Sequence, residues 1–582
     1  MARFAAVTEG FDARAHRQTA FVAAATGLLC AILPAATDAR AQTGGAGPIP
    51  LPDQAEGARI ATVRVDLRAS GGSAARDEAI LTRLRASLSA LEGTAFNRQS
   101  IEARIVAIQQ RIGSGRIDYR LATAWPVDGL LLVFELDTRE EVSPSRPLTT
   151  LYRSERAQVS LIAGGGFGLY SDIHPWFGRP ALFNAGSPIA GRLPGRNPAW
   201  TEGYVEPGLG AAAQVGDSPF YVYGAATYIT SWSYGQDIYR NDPRVFNSLE
   251  KAYGGLLYVD PDENRSLNVS AGRQNFTLND GFLIHFVRGS TNAAERSGLY
   301  LGPRNANDFS VVADFQSGAW RLKAFYIDPN ELEYLESRTT FAGSNLRYAF
   351  TPDFAADVTF VAIPRSSTRF ANPFGLALPR EGLQALAGHA RYRNAARVRG
   401  LWLEGELAHQ TNENFPMSAW AGYALAGYLA SWAPWTPSLS YRYAYFSGDD
   451  PLTRRYEKYD PLLSTGLGVW LQGVTFGKLT ANTNLETHRL QFNVAPNPAL
   501  NITFDWHLLR AAQYNNIGAN PALSQLASRA LGQEFTLTAR WALSRNIYLQ
   551  TVASQAIPGR AFTAIGADKP WTTLQASLYW SL

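Results

Sequence analysis

Asp505 and His507 stand two residues apart in Ile502-Thr503-Phe504-Asp505-Trp506-His507-Leu508. That stretch alternates with the period of two that marks a β-strand, so both side chains project to one face. A carboxylate beside an imidazole could orient it for base work. No nucleophile accompanies the pair. The sequence holds only 7 His, and His285, His389, His409, His488 and His507 fall on different expected strands. No single Ser stands apart from the many that share those faces. No His/Glu pair at helical spacing and no Cys cluster offers a metal site. Ser447-Gly448-Asp449-Asp450 brings two carboxylates together and could hold a calcium ion through oxygens, but a solvated polar turn is the expected reading. Neither catalysis, a metal nor a cofactor is expected.

The more persistent pattern is basic. Arg321, Lys323, Arg347, Arg391, Arg393, Arg442 and Arg540 occupy the polar phase of alternating segments, as does Arg273 provided Gly272 does not shift the register. Asp357, Glu404, Glu406 and Asp505 share that phase. Cations aligned in a narrow wet channel would attract and orient anionic solutes. Paired with the acids across a lumen, they would instead stiffen its wall.

The segments carrying these charges recur from residue 151 onward. Trp320, Leu322, Ala324 and Tyr326 alternate with Arg321 and Lys323; Leu401, Leu403 and Leu407 with Trp402, Glu404 and Glu406; Leu439, Tyr441, Tyr443 and Tyr445 with Ser440, Arg442 and Ala444. A soluble sandwich also alternates. Here, however, Arg, Lys, Glu and His stand in mid-strand, and Tyr and Trp gather at strand ends and on the apolar face. Connections alternate in length too. Short turns such as Pro496-Asn497-Pro498 contrast with long polar stretches such as Ser447 to Tyr459. This is the pattern of a transmembrane antiparallel β-barrel, whose closed ladder pairs every backbone amide in lipid. The apolar face meets acyl chains and the polar face meets water. Residues 151–582 allow about 16 to 18 strands of roughly ten residues each, enough for an aqueous channel. The closing Leu574, Ala576, Leu578, Trp580 and Leu582 suit a last strand that pairs with the first.

Composition agrees. Charged residues are 18% of the chain and aromatics 12%, with a mean hydropathy of −0.15. That excludes a bundle of hydrophobic helices. A net charge of +4 is too weak and scattered for nucleic acid. Residues 1–41 read as a secretory signal: Arg14, His16 and Arg17, an apolar run from Thr19 to Leu33, then small Ala39 and Ala41 before the expected cut. The only cysteine, Cys30, lies within it, so the mature chain would have no thiol chemistry. Residues 42–57 are a Gly/Pro-rich linker and 141–150 a connector. Between them, 58–140 form a small α+β domain of order β-α-α-β-β. A strand at Ile60 to Leu67 precedes two helices, the second carrying Ile101, Ile105, Ile108 and Ile112 on one face; strands follow at Ile117–Ala124 and Leu130–Leu136.

This order resembles a polypeptide-transport-associated (POTRA) domain. The resemblance implies a place in the periplasm before an outer-membrane barrel, where the domain would dock a protein partner or receive cargo. Further along, Ala271-Gly272-Arg273-Gln274-Asn275-Phe276 with Asn279-Asp280-Gly281, then Tyr445-Phe446-Ser447-Gly448-Asp449-Asp450 with Tyr459-Asp460-Pro461-Leu462, then Leu531-Gly532-Gln533-Glu534-Phe535 with Ile557-Pro558-Gly559-Arg560, resemble in order the alginate-export family of outer-membrane proteins. That resemblance implies a monomeric 18-stranded barrel in the outer membrane of a Gram-negative bacterium, surrounded by its lipid and passing an anionic polysaccharide. Family members usually lack the N-terminal domain, which leaves a rival: a POTRA-bearing barrel for protein secretion or membrane insertion. Such barrels carry a Val-Arg-Gly-aromatic motif. Val287-Arg288-Gly289-Ser290 has its first three residues but Ser in place of the aromatic.

Overall fold

A computed structural model describes residues 56–112, 116–124, 129–139, 149–176, 197–237, 243–260, 265–285, 298, 300–301, 305–331, 336–371, 377–394, 400–464, 470–515, 525–544 and 546–582. The expected signal, most of the linker and connector, and residues 287–290 lie outside these.

The N-terminal domain consists of β1 (Ile60–Ala69), α1 (Ala74–Leu88), α2 (Arg98–Ile112), β2 (Arg116–Thr123) and β3 (Leu130–Asp137), in the expected order. Ser73 caps α1 by accepting the Arg76 N–H, satisfying one of the donors a helix start leaves open. The sheet runs β1-β3-β2, with β1 parallel and β2 antiparallel to the central β3. Leu81, Leu84 and Leu88 of α1 and Ile101, Ile105 and Ile108 of α2 lie one helical turn apart, and both rows cover Leu132, Phe134 and Leu136 of the sheet. The domain therefore has a core of its own.

The remaining strands are β4 (Thr150–Arg153), β5 (Ala157–Ile173), β6 (Ala199–Gln214), β7 (Phe220–Gly235), β8 (Arg244–Asp260), β9 (Arg265–Arg273), β10 (Phe309–Ser317), β11 (Trp320–Asp328), β12 (Thr340–Ala349), β13 (Phe354–Arg365), the short pair β14 (Arg369–Ala371) and β15 (Ala377–Pro379), β16 (Leu383–Asn394), β17 (Leu401–Asn412), β18 (Ala419–Leu429), β19 (Ser438–Phe446), β20 (Leu485–Asn497), β21 (Leu500–Ala511), β22 (Ala530–Ala542), β23 (Ile547–Pro558) and β24 (Trp571–Ser581), with a one-turn helix α3 (Arg560–Thr563) before the last. β5–β13 and β16–β24 close an antiparallel barrel of 18 strands, the upper end of the expected range. β24 closes it by pairing with β5, from Thr572–Ile173 to Ser581–Gly164.

Alternation sorts the wall as expected. Leu322 and Leu407 are 44% and 58% exposed on the outside, while their neighbours Lys323 and Glu406 are each 5% exposed on the inside. Connections also sort by end. Turns 318–319, 350–353 and 498–499 share one end of the barrel with the chain's entry into β5. The strand ends joined by the long segments 274–308 and 447–484 lie at the other. A water-filled pore would leave its lining wet, so the deep burial of Lys323 and Glu406 requires that something occupy the lumen.

Candidate functional site

Two bodies enter the lumen from opposite ends. From the short-turn end comes the N-terminal domain. Where the sequence suggests a separate domain preceding the barrel, the structure seats it inside. The reason lies in α2, which has a second apolar side: Ala103, Val106 and Ala107 pack on Ala212, Tyr221, Tyr223, Tyr253 and Leu257, inward-facing residues of β6–β8. Polar contacts frame this patch. Gln110 donates to Gln214 at 2.7 Å and Asn268 to the Ser100 hydroxyl at 3.2 Å. Arg104 donates to Ser266 at 3.2 Å, and the Ser160 hydroxyl donates to Glu102 at 3.3 Å. Across the lumen, Arg59 reaches Glu404 of β17 at 2.8 Å. Arg393 of β16 donates to the Ala61 carbonyl at 2.6 Å and Arg347 of β12 to the Glu92 carbonyl at 3.2 Å. Gly93, at φ +80°, lets Arg347 approach, since a Cβ there would collide with its guanidinium. Burial pushes the Glu56 carboxyl up to about 7 against the pull of Lys251 and Arg98, and burial also raises Glu102 against Arg98.

From the long-loop end come the described parts of segments 274–308 and 447–484. Three wall carboxylates anchor them by accepting backbone N–H groups. Glu202 takes those of Tyr300 and Leu301, both at 2.8 Å. Glu250 takes Asn305 at 2.9 Å and Ala306 at 3.2 Å. Glu534 takes Val474 at 2.6 Å and Phe476 at 2.8 Å. The segments also grip each other: Leu463 N–H donates to the Leu283 carbonyl at 3.2 Å, and the Phe282 and Trp470 rings lie 4.8 Å apart. Asn275 then meets the N-terminal domain, donating to the Glu56 carbonyl at 2.9 Å.

A space of about 340 Å³ lies between the described part of the 447–484 segment and the wall of β20–β24. Arg489, Arg540, His507, Gln550, Gln575 and Ser577 line it, with the Tyr170 and Tyr579 rings. Arg489 is tied to Asp505 at 2.7 Å. Arg540 donates to the Thr503 hydroxyl at 3.3 Å and has no carboxylate at ion-pair distance among the described residues.

Seven of the eight expected cations do face inward, but most are engaged. Arg321 forks onto Asp314 at 2.7 and 2.5 Å. Lys323 lies 5.9 Å from the Phe276 ring centre, and Arg442 stacks 4.2 Å over Trp470. Arg347 and Arg393 hold the N-terminal domain, while Arg391 lines a small cavity with Arg59, Arg347, Asp357 and His389. Arg273 is a correction. Gly272, at φ +124°, bends the end of β9; Arg273 keeps the outward phase of Leu267 and Ala271, and its guanidinium turns back to the Glu250 carbonyl and to Asp308. The acids are inward as expected. Asp357 accepts from Asn279 and Asn345, both at 2.8 Å, and bonds His389 at 2.8 Å. His389 also meets Glu404 at 3.1 Å, and Glu406 lies within electrostatic reach of that imidazole. Asp505 does not orient His507: neither imidazole nitrogen has a hydrogen-bond partner among the described residues, and Asp505 Oδ1 accepts from Arg489 and Gln491 instead. The turn 447–450 is packed rather than solvated: Asp449 accepts the Glu457 N–H at 2.8 Å and the Ser447 hydroxyl donates to the Glu457 carbonyl at 2.5 Å. Glu202, Glu250 and Arg489 carry no motif in the sequence, and Glu534 enters only within a stretch that resembles the family. Their one signal was an inward charge near a strand end facing a long loop.

An 18-stranded antiparallel barrel with an apolar exterior and a charged interior is an outer-membrane β-barrel channel. The sequence matches the family described as Alginate export over residues 240–569, more than half of the chain, and the chain belongs to that family. The N-terminal domain lies outside the match. Among solved structures, the chain is similar to the outer membrane protein OprD from Pseudomonas aeruginosa, at 9% identity and a TM-score of 0.43 over 73% of this chain and 93% of that one. It is also similar to OccK7 (OpdD) of the same organism, at 10% identity and a TM-score of 0.43 over 73% and 98%. No curated protein matches the sequence.

Proposed function

We propose that this channel passes a hydrophilic, anionic solute and that its activity is polysaccharide export. The observation that carries this reading is the 340 Å³ chamber, where Arg540, free of any carboxylate among the described residues, stands beside amide, hydroxyl and tyrosine groups. Amides and hydroxyls suit sugar hydroxyls, tyrosine faces suit sugar rings, and an uncompensated guanidinium suits a carboxylate. Passage is passive and involves no catalysis or cofactor. The barrel acts as a monomer in outer-membrane lipid. Its short-turn end faces the periplasm, as short turns do in such barrels. The N-terminal domain, POTRA-like in its element order, meets a periplasmic protein partner from that side. Long pairing between β24 and β5 disfavours a protein-insertion barrel, which needs a weak seam there. Planar-bilayer recording tests the reading. The conductance of the open channel is expected to be anion-selective, shifting toward cations in Arg540→Glu. A cation-selective pore, or one indifferent to that change, would overturn it.

A further inference from the structure

We infer that the N-terminal domain is a removable plug, and that the wall arginines Arg347, Arg391 and Arg393 line the pore only after it withdraws. Its seat has the character of a surface made to separate. Permanent interfaces are apolar, whereas polar contacts between domains go with relative motion. Here the apolar contact shared with the wall centres on the small side chains of Ala103, Val106 and Ala107; the outer sheet face adds a buried patch of Ala61, Ala122, Leu131 and Val133 that joins no apolar cluster of the wall, and the rest is hydrogen bonds and the Arg59–Glu404 pair. The domain carries its own core of α1, α2 and sheet residues, so it can leave without unfolding.

The electrostatics of the seam point the same way. Arg59 from the domain meets Arg347 and Arg391 from the wall around one small cavity, with Asp357 and His389 as the other charged or titratable lining groups. Three guanidinium groups converge there. Arg393 and Arg347 spend donors on the neutral Ala61 and Glu92 carbonyls, weaker acceptors than a carboxylate. Buried Nη1 of Arg391, Nε and Nη2 of Arg393 and Nε of Arg59 have no protein partner among the described residues. An unmet buried donor costs free energy that a better acceptor would restore. Withdrawal would thus expose a strip of cations with unspent donors on β12 and β16, facing the chamber's Arg540 across the lumen. A polyanion threading the pore would occupy them and hold the plug out; this last step rests on the reading proposed above. Exit is toward the short turns, because the 274–308 segment meets Glu56 on the other side.

The test uses the full chain in planar bilayers with Ser100→Cys and Asn268→Cys, whose native side chains hydrogen-bond across the seam at 3.2 Å. The oxidised protein should stay in a low-conductance state with polygalacturonate present, and reduction should restore opening. Arg59→Glu should lengthen the high-conductance dwell about tenfold, as loss of one buried charged contact would. Adding Glu404→Arg should reverse that effect, which separates a lost latch from a misfolded barrel. Equal conductance in oxidised and reduced protein would overturn the plug. Reversal potentials measured on the reduced protein report selectivity separately, so a pore that opens but prefers cations would refute the anion reading and leave the plug standing.

Discussion

Glu534→Ala should release the 447–484 segment from the wall while leaving the barrel closed. The carboxylate accepts Val474 N–H at 2.6 Å and Phe476 N–H at 2.8 Å, and Thr475 N–H lies 3.1 and 3.2 Å from its two oxygens. Thr536 and Ser554 donate hydroxyls to it at 3.0 and 2.7 Å, fixing its rotamer. Hydrogen bonds to a charged group contribute about 1.5–3 kcal/mol each, and removing the acceptor strands three backbone donors. Water entering from the adjoining chamber recovers part of that, which leaves a net loss of about 4 kcal/mol for the attached state. At about 1.4 kcal/mol per factor of ten, the detached population rises roughly a thousandfold. Amide hydrogen exchange reads this directly. Protection at Val474, Thr475 and Phe476 should fall by about two to three orders of magnitude. Protection in the β21–β22 ladder, for instance at Phe504 and Leu537, should hold. Unchanged protection at the three loop amides would show that the segment is held by its ring contacts and that the carboxylate is incidental.

Seating of the N-terminal domain should weaken as pH rises. Glu56 is pushed up to about 7 by burial, so seating favours its protonated form, and burial raises Glu102 in the same direction. The Glu56 contribution is complete below the ordinary carboxyl value of 4.5 and is lost as pH rises through about 7, and the raised Glu102 acts in the same direction. The fraction of time in the high-conductance state should therefore be larger at about pH 8 than at about pH 5, and a flat profile would count against the assignment. Ala107→Trp adds a ring where Ala107 is 1% exposed against the wall, an overpacking that costs about 1–3 kcal/mol or more. The yield of the Ser100→Cys/Asn268→Cys crosslink should drop in that background. Gly272→Val forces a β-branched residue into φ +124° with its Cβ against the Ala252 carbonyl, a strain of about 1–3 kcal/mol. The barrel should then lose its heat-resistant migration in detergent gels at a lower temperature than the parent.

The wall was readable from the sequence because two solvents write on alternate residues of every strand, so Leu322 and Lys323, or Phe504 and Asp505, declare their sides without knowledge of any neighbour. Strand pairing added little to that signal, which is why the barrel and its 18 strands fell within the expected range. The contents of the lumen follow a different rule. Arg321 and Arg347 show the same inward phase, yet one is neutralised by Asp314 two strand positions away across a hairpin and the other spends its donor on a carbonyl of a domain some 250 residues earlier in the chain. Phase determines where a charge points and says nothing about what fills the space ahead of it. The one local trace of that filling was in α2. Ile101, Ile105 and Ile108 make one apolar row, and Ala103, Val106 and Ala107 make another on a different side. A helix on a two-layer domain needs only the first row. The second demands a partner of its own, and its small side chains require that the partner approach closely, as the tyrosine-lined wall of β7 and β8 does. A helix with two apolar rows in a domain that precedes a barrel is thus a physical reason to look for that domain inside the pore.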